Sequence, residues 1–435
     1  LDTSVSVFWF RRDLRLEDNA GLYHALKGPY PVLPIFIFDT EILQELPEDD
    51  ARLSFIHETL QQMRNRLRED HGSSIALYSG RPVAVFKKLL GEFDIKCVYT
   101  NHDYEPYARG RDSEIASLLE ANGIDFQTYK DQVVFEKDEV VKDDGDPYVV
   151  YTPYMKKWKA TLEAKGTPGI YHSIEHLDHL IPHSRLPNLA LSDLGFKTSS
   201  IKVPGPNLTP GLIQDYEKTR NYPAAEGTSR LGPHLRFGTI SIRNILEKAR
   251  EARNETFWNE LVWREFFMQI LWHYPETTHR AFRKKYDRIQ WRNKPAEFEK
   301  WKAGLTGYAL VDAGMRQLNS TGYMHNRVRM LVASFLCKHL LIDWRWGEAY
   351  FAKKLLDYEL SSNVGNWQWA AGSGVDAAPY FRIFNPMTQV AKFDKDLTYI
   401  RKWVPEFDTR EYPGKMVDHK EARERCLTTY KAALD

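Results

Sequence analysis

Residues 74–103 read "SIALYSGRPVAVFKKLLGEFDIKCVYTNHD". The opening run, Ser74–Gly80, is apolar, aromatic and bounded by glycine, as a buried strand is. Arg81-Pro82 then starts a segment whose apolar residues Val85, Phe86 and Leu89 recur at helical spacing, and Ile95–Asp103 returns to a β-branched and aromatic run. A strand, a helix and a strand in succession suggest two parallel strands of one α/β sheet.

The same alternation extends in both directions. "VSVFWF" (5–10) and "YPVLPIFIF" (30–38) read as strands and "LSFIHETLQQMRNRLRED" (53–70) as a helix; after the quoted unit come a helix in "RDSEIASLLEANG" (111–123) and a strand in "FQTYKDQVV" (126–134). The expectation is a Rossmann-like parallel α/β domain over residues 1–130. Neither G-x-G-x-x-G nor G-x-x-x-x-G-K-[ST] occurs, so the usual phosphate-cradling loops are absent from it.

From about Tyr151 to Thr209 the chain turns rich in Pro, Ser, His and Gly, and residues 131–209 are read as a long connection. His172, His176, His179 and His183 fall at helical spacings there, but Pro182 interrupts them and no zinc-enzyme motif accompanies them; no metal site is expected. Beyond Thr209 strand signals almost vanish, and residues 210–435 read as an all-α domain. With 435 residues, 43% hydrophobic and 27% charged, the chain has the composition of an ordinary globular protein of two domains.

The formal charge of +1 excludes a polycation, so nucleic acid must be met by local patches, of which "HRAFRKKYDRIQWRNKPAEFEKWK" (279–302) is the candidate. Three scattered cysteines, Cys97, Cys337 and Cys426, argue against a disulfide framework. The first residues lack the apolar run of a signal peptide, and "MLVASFLCKHLLIDW" (330–344) is cut by Lys338 and His339 short of a membrane span. A cytoplasmic monomer without membrane or obligate protein partner is expected.

Three helical pairings suggest a site. Glu260 and Trp263 are three apart in "NELVWREFF", Asn326 and Met330 four apart in "MHNRVRM", and Asn363 and Trp367 four apart in "LSSNVGNWQWAAGSG" (360–374). Each pair puts a polar group and a bulky apolar one on one face, a mixture suited to a flat, polar-edged ligand. Trp369, two residues past Trp367, points nearly the other way. In "EGTSRLGPHLRFGTIS" (226–241), Thr228, Ser229 and Arg230 offer helix-capping hydroxyls and a cation for phosphate. A serine-hydrolase elbow is excluded, because Leu231 stands where that motif needs glycine.

"GTSRL", "WREFF", "TGYMHNRVRM", "DWRWGEAYF", "DYELSSNVGNWQWA" and "DAAPYFRIFNP" together resemble the photolyase and cryptochrome family, most closely the microbial class I cyclobutane pyrimidine dimer photolyases. The resemblance implies an antenna-binding α/β domain, a linker, and a helical domain holding FAD, active when fully reduced. A second antenna chromophore of folate or deazaflavin type is possible in such proteins. It further implies that Tyr216, Thr228, Ser229, Arg230 and Leu231 hold the diphosphate and ribityl regions. Arg329, Asp357, Glu359 and Asn363 would line the flavin, with Glu359 where Asp is frequent and Tyr323 where Trp is. Trp263 and Trp369 would flank a flipped-out dimer, Glu260 bond its polar edge, and Asn326 and Met330 touch dimer and flavin, while Arg220 and Arg327 grip phosphates of UV-damaged DNA. Trp291, Trp344 and Trp367 match the family's electron relay. Two other activities share the scaffold. Against a cryptochrome light sensor stands Asn363, where plant members carry Asp and animal members Cys; against a six-four photolyase stand Asn326 and Met330, where that enzyme needs histidines.

Overall fold

The structure, a computed structural model, describes residues 4–183 and 185–435. Five strands, β1 (Ser4–Phe10), β2 (Val32–Asp39), β3 (Ala76–Gly80), β4 (Asp94–Asn101) and β5 (Asp125–Tyr129), form one parallel sheet in the order β3-β2-β1-β4-β5. Because side chains alternate along a strand, β1 sends Val5, Val7 and Trp9 to one face and Phe8 and Phe10 to the other. Helices α1 (Ala20–Leu26) and α2 (Ala51–His71) cover the phenylalanine face through Leu22, Leu26, Leu60 and Leu67. Helices α3 (Pro82–Glu92) and α4 (Pro106–Glu120) cover the other through Val85, Phe86, Leu89, Ile115 and Leu119. A sheet buried on both sides needs such continuous apolar runs.

Ligands of open parallel sheets usually sit past the carboxyl ends of the strands, where the strand order reverses. Here that crevice, after β1 and β4, is packed by Arg11, Arg12, Asp13, Asn101 and Asp103. Arg12 pairs with Asp103 at 3.2 Å, and Asn101 Nδ2 donates to Asp13 at 2.6 Å.

The stretch expected to be irregular contains α5 (Tyr151–Lys165), followed by a 3₁₀ turn at Ser173–His179. Pro153 misleads there: in the first turn of a helix no backbone N–H is needed, so proline is tolerated. His179 Nδ1 lies 2.7 Å from the Leu26 carbonyl, and the His176 ring meets Tyr23. The chain forms two compact units, one from residues 1–139, 161–205 and 231–248, the other from 140–160, 206–230 and 249–435.

The second unit is helical. Its principal elements are α6 (Glu255–His273), α7 (Ala309–Thr321), α8 (Asn326–Ser334), α9 (Trp344–Lys354), α10 (Leu360–Ala371) and α11 (His419–Leu434). One core joins Trp301, Met315, Leu331, Phe335, Trp344 and Trp367. At Gly347 any Cβ would collide with the Trp367 indole, so glycine is what lets α9 and α10 close on that ring. No helix among the described residues is long and apolar enough to cross a membrane.

Candidate functional site

A cleft of about 580 Å³, counted to its open mouth, lies in the helical unit between α8, α10 and the residues after α9. Asn326, Arg329 and Met330 come from α8, and Asp357 and Glu359 from the turn before α10. Asn363, Asn366, Trp367, Trp369 and Ala370 come from α10 itself. The i, i+4 pairings Asn326/Met330 and Asn363/Trp367 each place both members on this cleft.

Trp369 lies on it too. At 100° per residue, Trp369, Ser362, Asn366, Ala370, Asn363 and Trp367 follow one another around about 160° of the helix. The two tryptophans thus diverge, yet they bound the two edges of one broad face. Trp367 is buried and Trp369 half-buried.

Polar groups in the cleft are held in fixed orientations. Arg329 forks onto Asp357, Nη1 to Oδ1 at 3.1 Å and Nη2 to Oδ2 at 2.9 Å, and its Nε donates to the Met324 carbonyl at 2.7 Å. Burial disfavours the Arg329 charge, but Asp357 outweighs it and the guanidinium pKa is raised. Asn363 Nδ2 donates to the Glu348 backbone oxygen (3.2 Å) and to its Oε1 (2.9 Å). A backbone carbonyl can only accept, so the amide nitrogen must face Glu348 and Oδ1 is left for the cleft. Burial pushes the Glu348 carboxyl up, with the Asn363 bond pulling it the other way. Glu359 is buried at the N-cap of α10. His325 caps α8, its Nδ1 accepting from Arg327 N at 3.1 Å, and its pKa is pushed down to about 4 by burial, then by Arg329, Arg230 and Arg327.

The segment expected to bind phosphate differs in detail. The helix after it begins at Gly232 with no side-chain cap, so Thr228 and Ser229 lie upstream of it rather than capping it. Thr228 Oγ1 is 3.2 Å from the Tyr323 hydroxyl, and the Ser229 carbonyl accepts from Asn207 N at 2.8 Å. Arg230, at φ 56°, lays its guanidinium 3.8 Å from the centre of the Tyr323 ring. Tyr216 packs edge-on against Phe257, and Leu231 is buried in the first unit.

Of the side chains expected to meet DNA, Asn326, Met330 and Trp369 line the cleft, while four others hold partners of their own. Arg220 is ion-paired with Glu260. Trp263 stacks face to face on Tyr151, centroids 3.6 Å apart and planes 4° apart. Arg327 Nη2 donates to Asn221 Oδ1 at 2.6 Å. The three relay candidates share one core: Trp344 and Trp367 are buried in it and Trp291 packs on it half-exposed. The ring contacts of Trp367 are with Phe351 (5.0 Å) and Trp301 (6.2 Å), and Trp291 meets Tyr430 at 6.0 Å.

Glu348, Tyr151 and Asn221 were not legible as site residues. Each reaches its partner across elements, from 15, 112 and 106 positions away, and no periodicity reports that.

A parallel sheet without a phosphate loop, joined to helices that enclose a cleft of mixed polarity, defines a class of two-part α/β and all-α proteins with a cleft in the helical part. Comparison with known proteins gives that class a family. Residues 6–171 match the family model described as DNA photolyase, and residues 257–411 the model described as FAD binding domain of DNA photolyase. The deoxyribodipyrimidine photo-lyase of Halobacterium salinarum is 37% identical over 99% of both chains, and that of Escherichia coli 36% identical over 99% of both. Among solved structures, a class III photolyase of Agrobacterium tumefaciens superposes with a TM-score of 0.88 at 34% identity, covering 100% of this chain and 98% of that one. An archaeal photolyase of Sulfolobus tokodaii, solved with two FAD molecules, gives 0.83 at 34%, covering 99% and 100%. The chain belongs to the DNA photolyase family.

Proposed function

We propose that this cleft serves light-driven repair of cyclobutane pyrimidine dimers in DNA, with FAD as its cofactor. The observation that carries the reading is the meeting, on one cleft, of a fixed Asn363 oxygen and the Arg329–Asp357 fork with Asn326, Met330 and Trp369. The isoalloxazine ring is flat, with hydrogen-bonding groups along its edge. An amide oxygen, a guanidinium and two carboxylates on walls of Trp367, Phe351, Leu355 and Ala333 suit it. When bound and reduced, FAD would lend a photoexcited electron that opens the cyclobutane ring and would take it back once the ring has split, so that no net electron is consumed.

The chain's own residues bind, orient and tune. Asn363 offers its oxygen where N5 would lie, and Arg329 and Asp357 fix the ring edge. Tyr216, Thr228, Ser229, Arg230 and Leu231 serve the rest of the cofactor, and Glu359 the wall. Asn326 and Met330 would touch both cofactor and lesion. Trp263 and Trp369 stack on the extruded bases, Glu260 accepts from their N–H edge, and Arg220 and Arg327 hold flanking phosphates. Extrusion of a dimer costs less than extrusion of a well-stacked pair, which favours damage. Trp367, Trp344 and Trp291 carry electrons inward from solvent. The assigned division is an antenna domain over 1–130, a connection over 131–209 and the catalytic domain over 210–435.

The test is chromatography of a dimer-bearing oligonucleotide incubated with the reduced holoprotein. Intact thymines are expected after blue light and not in the dark. Unchanged dimer after illumination, with the flavin shown to be reduced, would overturn the reading.

A further inference from the structure

Glu260 and Arg220 are each assigned a DNA contact above, yet in the structure they bind each other. Arg220 Nη1 donates to Glu260 Oε1. The pair sits half-exposed, with side-chain exposures of 22% and 34%. Arg220 follows the short helix Tyr216–Thr219, its guanidinium 5.4 Å from the Tyr216 ring centre. Glu260 is on α6, one turn before Trp263, whose ring Tyr151 holds by stacking.

Arg220 shares its neighbourhood with a second arginine, Arg327. Arg327 has its pKa lowered, by burial first and then by the like charges of Arg220 and Arg382. Its Nε is buried without a hydrogen-bond partner. Arg327 therefore faces two like charges, Arg220 and Arg382, and the carboxylate bonded to Arg220 is Glu260. An incoming phosphate would relieve that repulsion and offers several acceptor oxygens to a guanidinium fork.

We propose that Arg220 is a specificity-determining residue that works by exchange: it occupies the Glu260 carboxylate until a DNA backbone phosphate takes its guanidinium, and Glu260 then accepts from the N–H edge of the extruded bases. The inference rests on the site reading above. Undamaged DNA supplies the phosphate but keeps its bases stacked, so it breaks the ion pair and leaves Glu260 without a replacement donor. A dimer supplies both halves. Phosphate binding and lesion reading are then thermodynamically coupled, and each strengthens the other by the same factor.

Opposite effects of one substitution on two probes test this. The first probe is the isolated thymine-dimer dinucleotide, which has no flanking phosphates; the second is a duplex with one central dimer. Arg220→Gln is expected to bind the dinucleotide about threefold to tenfold more tightly than wild type, because Glu260 is released, and the duplex about tenfold more weakly. The gain on the dinucleotide should vanish in the Arg220→Gln/Glu260→Gln double variant, and Arg220→Lys should lie between. Flavin content and melting temperature identify any variant that misfolds; Arg220→Lys then carries the test with the same signs. Arg220→Gln binding both probes more weakly, or a gain that survives Glu260→Gln, would overturn the exchange. Should Glu260→Gln alone leave duplex affinity unchanged, the assignment of Glu260 to the bases fails instead, which separates the two.

Discussion

Asn363 is tied to Glu348 by two hydrogen bonds from a single nitrogen, one to the backbone oxygen and one to the carboxyl. The amide is thereby locked with its oxygen toward the cleft. The carboxyl behind it is shifted by burial toward its protonated form.

Replacing Asn363 by Asp removes both donated bonds and sets a carboxylate against Glu348. Two carboxyls in contact cannot both ionise at low cost, so Glu348 should hold its proton to still higher pH. A residual negative charge in the cleft opposes electron density on a reduced flavin. Asn363→Asp is expected to repair more slowly than wild type and to show altered flavin absorbance during illumination. Identical spectra under the same light would remove Asn363 from that position.

Asp357→Asn keeps shape and loses charge, leaving Arg329 without its counter-ion inside the fork. Charge-assisted hydrogen bonds contribute about 1.5–3 kcal/mol, so flavin affinity should fall by roughly 10- to 100-fold. The check is the concentration of FAD needed to reconstitute the apoprotein. Melting of the apoprotein itself should change much less than that of the holoprotein.

Sequence periodicity and tertiary contact contributed different parts of this site. The strands and the long helices were legible because burial leaves a period of two or of 3.6, and Asn326/Met330 and Asn363/Trp367 because they share a helix face. The helix α1, at seven residues, is too short to show a period; its one signal is Asn19, which accepts from Leu22 N. Thr228 and Ser229 looked like caps, but the helix after them starts at Gly232, and Thr228 turns to Tyr323 instead. The Asn363–Glu348, Arg220–Glu260, Tyr151–Trp263 and Arg327–Asn221 pairs join separate elements, and only folding reveals them.

His325 should contribute to acid sensitivity, alongside His339, whose pKa burial pushes down further, to about 3. The His325 pKa is depressed from the ordinary 6.5 to about 4, so above pH 6.5 this ring is neutral in both folded and unfolded chains and its contribution is complete. As pH falls from there the unfolded chain takes up the proton first, and stability is lost until the folded group also titrates near 4. The loss is on the order of 3 kcal/mol. His325→Asn, which can still cap α8, should flatten this part of the stability profile in denaturant titrations between pH 7 and 4. A slope equal to wild type would assign the acid sensitivity elsewhere.

Arg327 and Trp263 should separate affinity from discrimination. If Arg327 holds a backbone phosphate as proposed, Arg327→Ala should weaken damaged and undamaged duplexes alike, and the slope of log affinity against log salt should shrink by about 0.9. Trp263→Ala removes a stacking surface and also strips Tyr151 of its partner, so the damaged duplex should weaken by about 1–3 kcal/mol while undamaged DNA changes little. Equal losses on both DNAs for Trp263→Ala would make it a packing residue.

In the proposed relay Trp291 is the outer member, so Trp291→Phe should separate electron supply from repair. Trp291 is the half-exposed member, so an aromatic replacement should preserve folding, flavin content and DNA binding. Phenylalanine is much harder to oxidise than tryptophan, so light-driven reduction of the oxidised flavin by an external donor should slow greatly. On the proposed reading, repair would start from flavin that is already reduced and would not draw on Trp291. Chemically reduced Trp291→Phe protein should therefore repair dimers at nearly the wild-type rate. The same core offers another ring neighbour, since Trp367 also meets Trp301 at 6.2 Å. Unimpaired photoreduction in the variant would mean that electrons enter by a route other than Trp291, and repair lost after chemical reduction would make Trp291 a structural or substrate-binding residue.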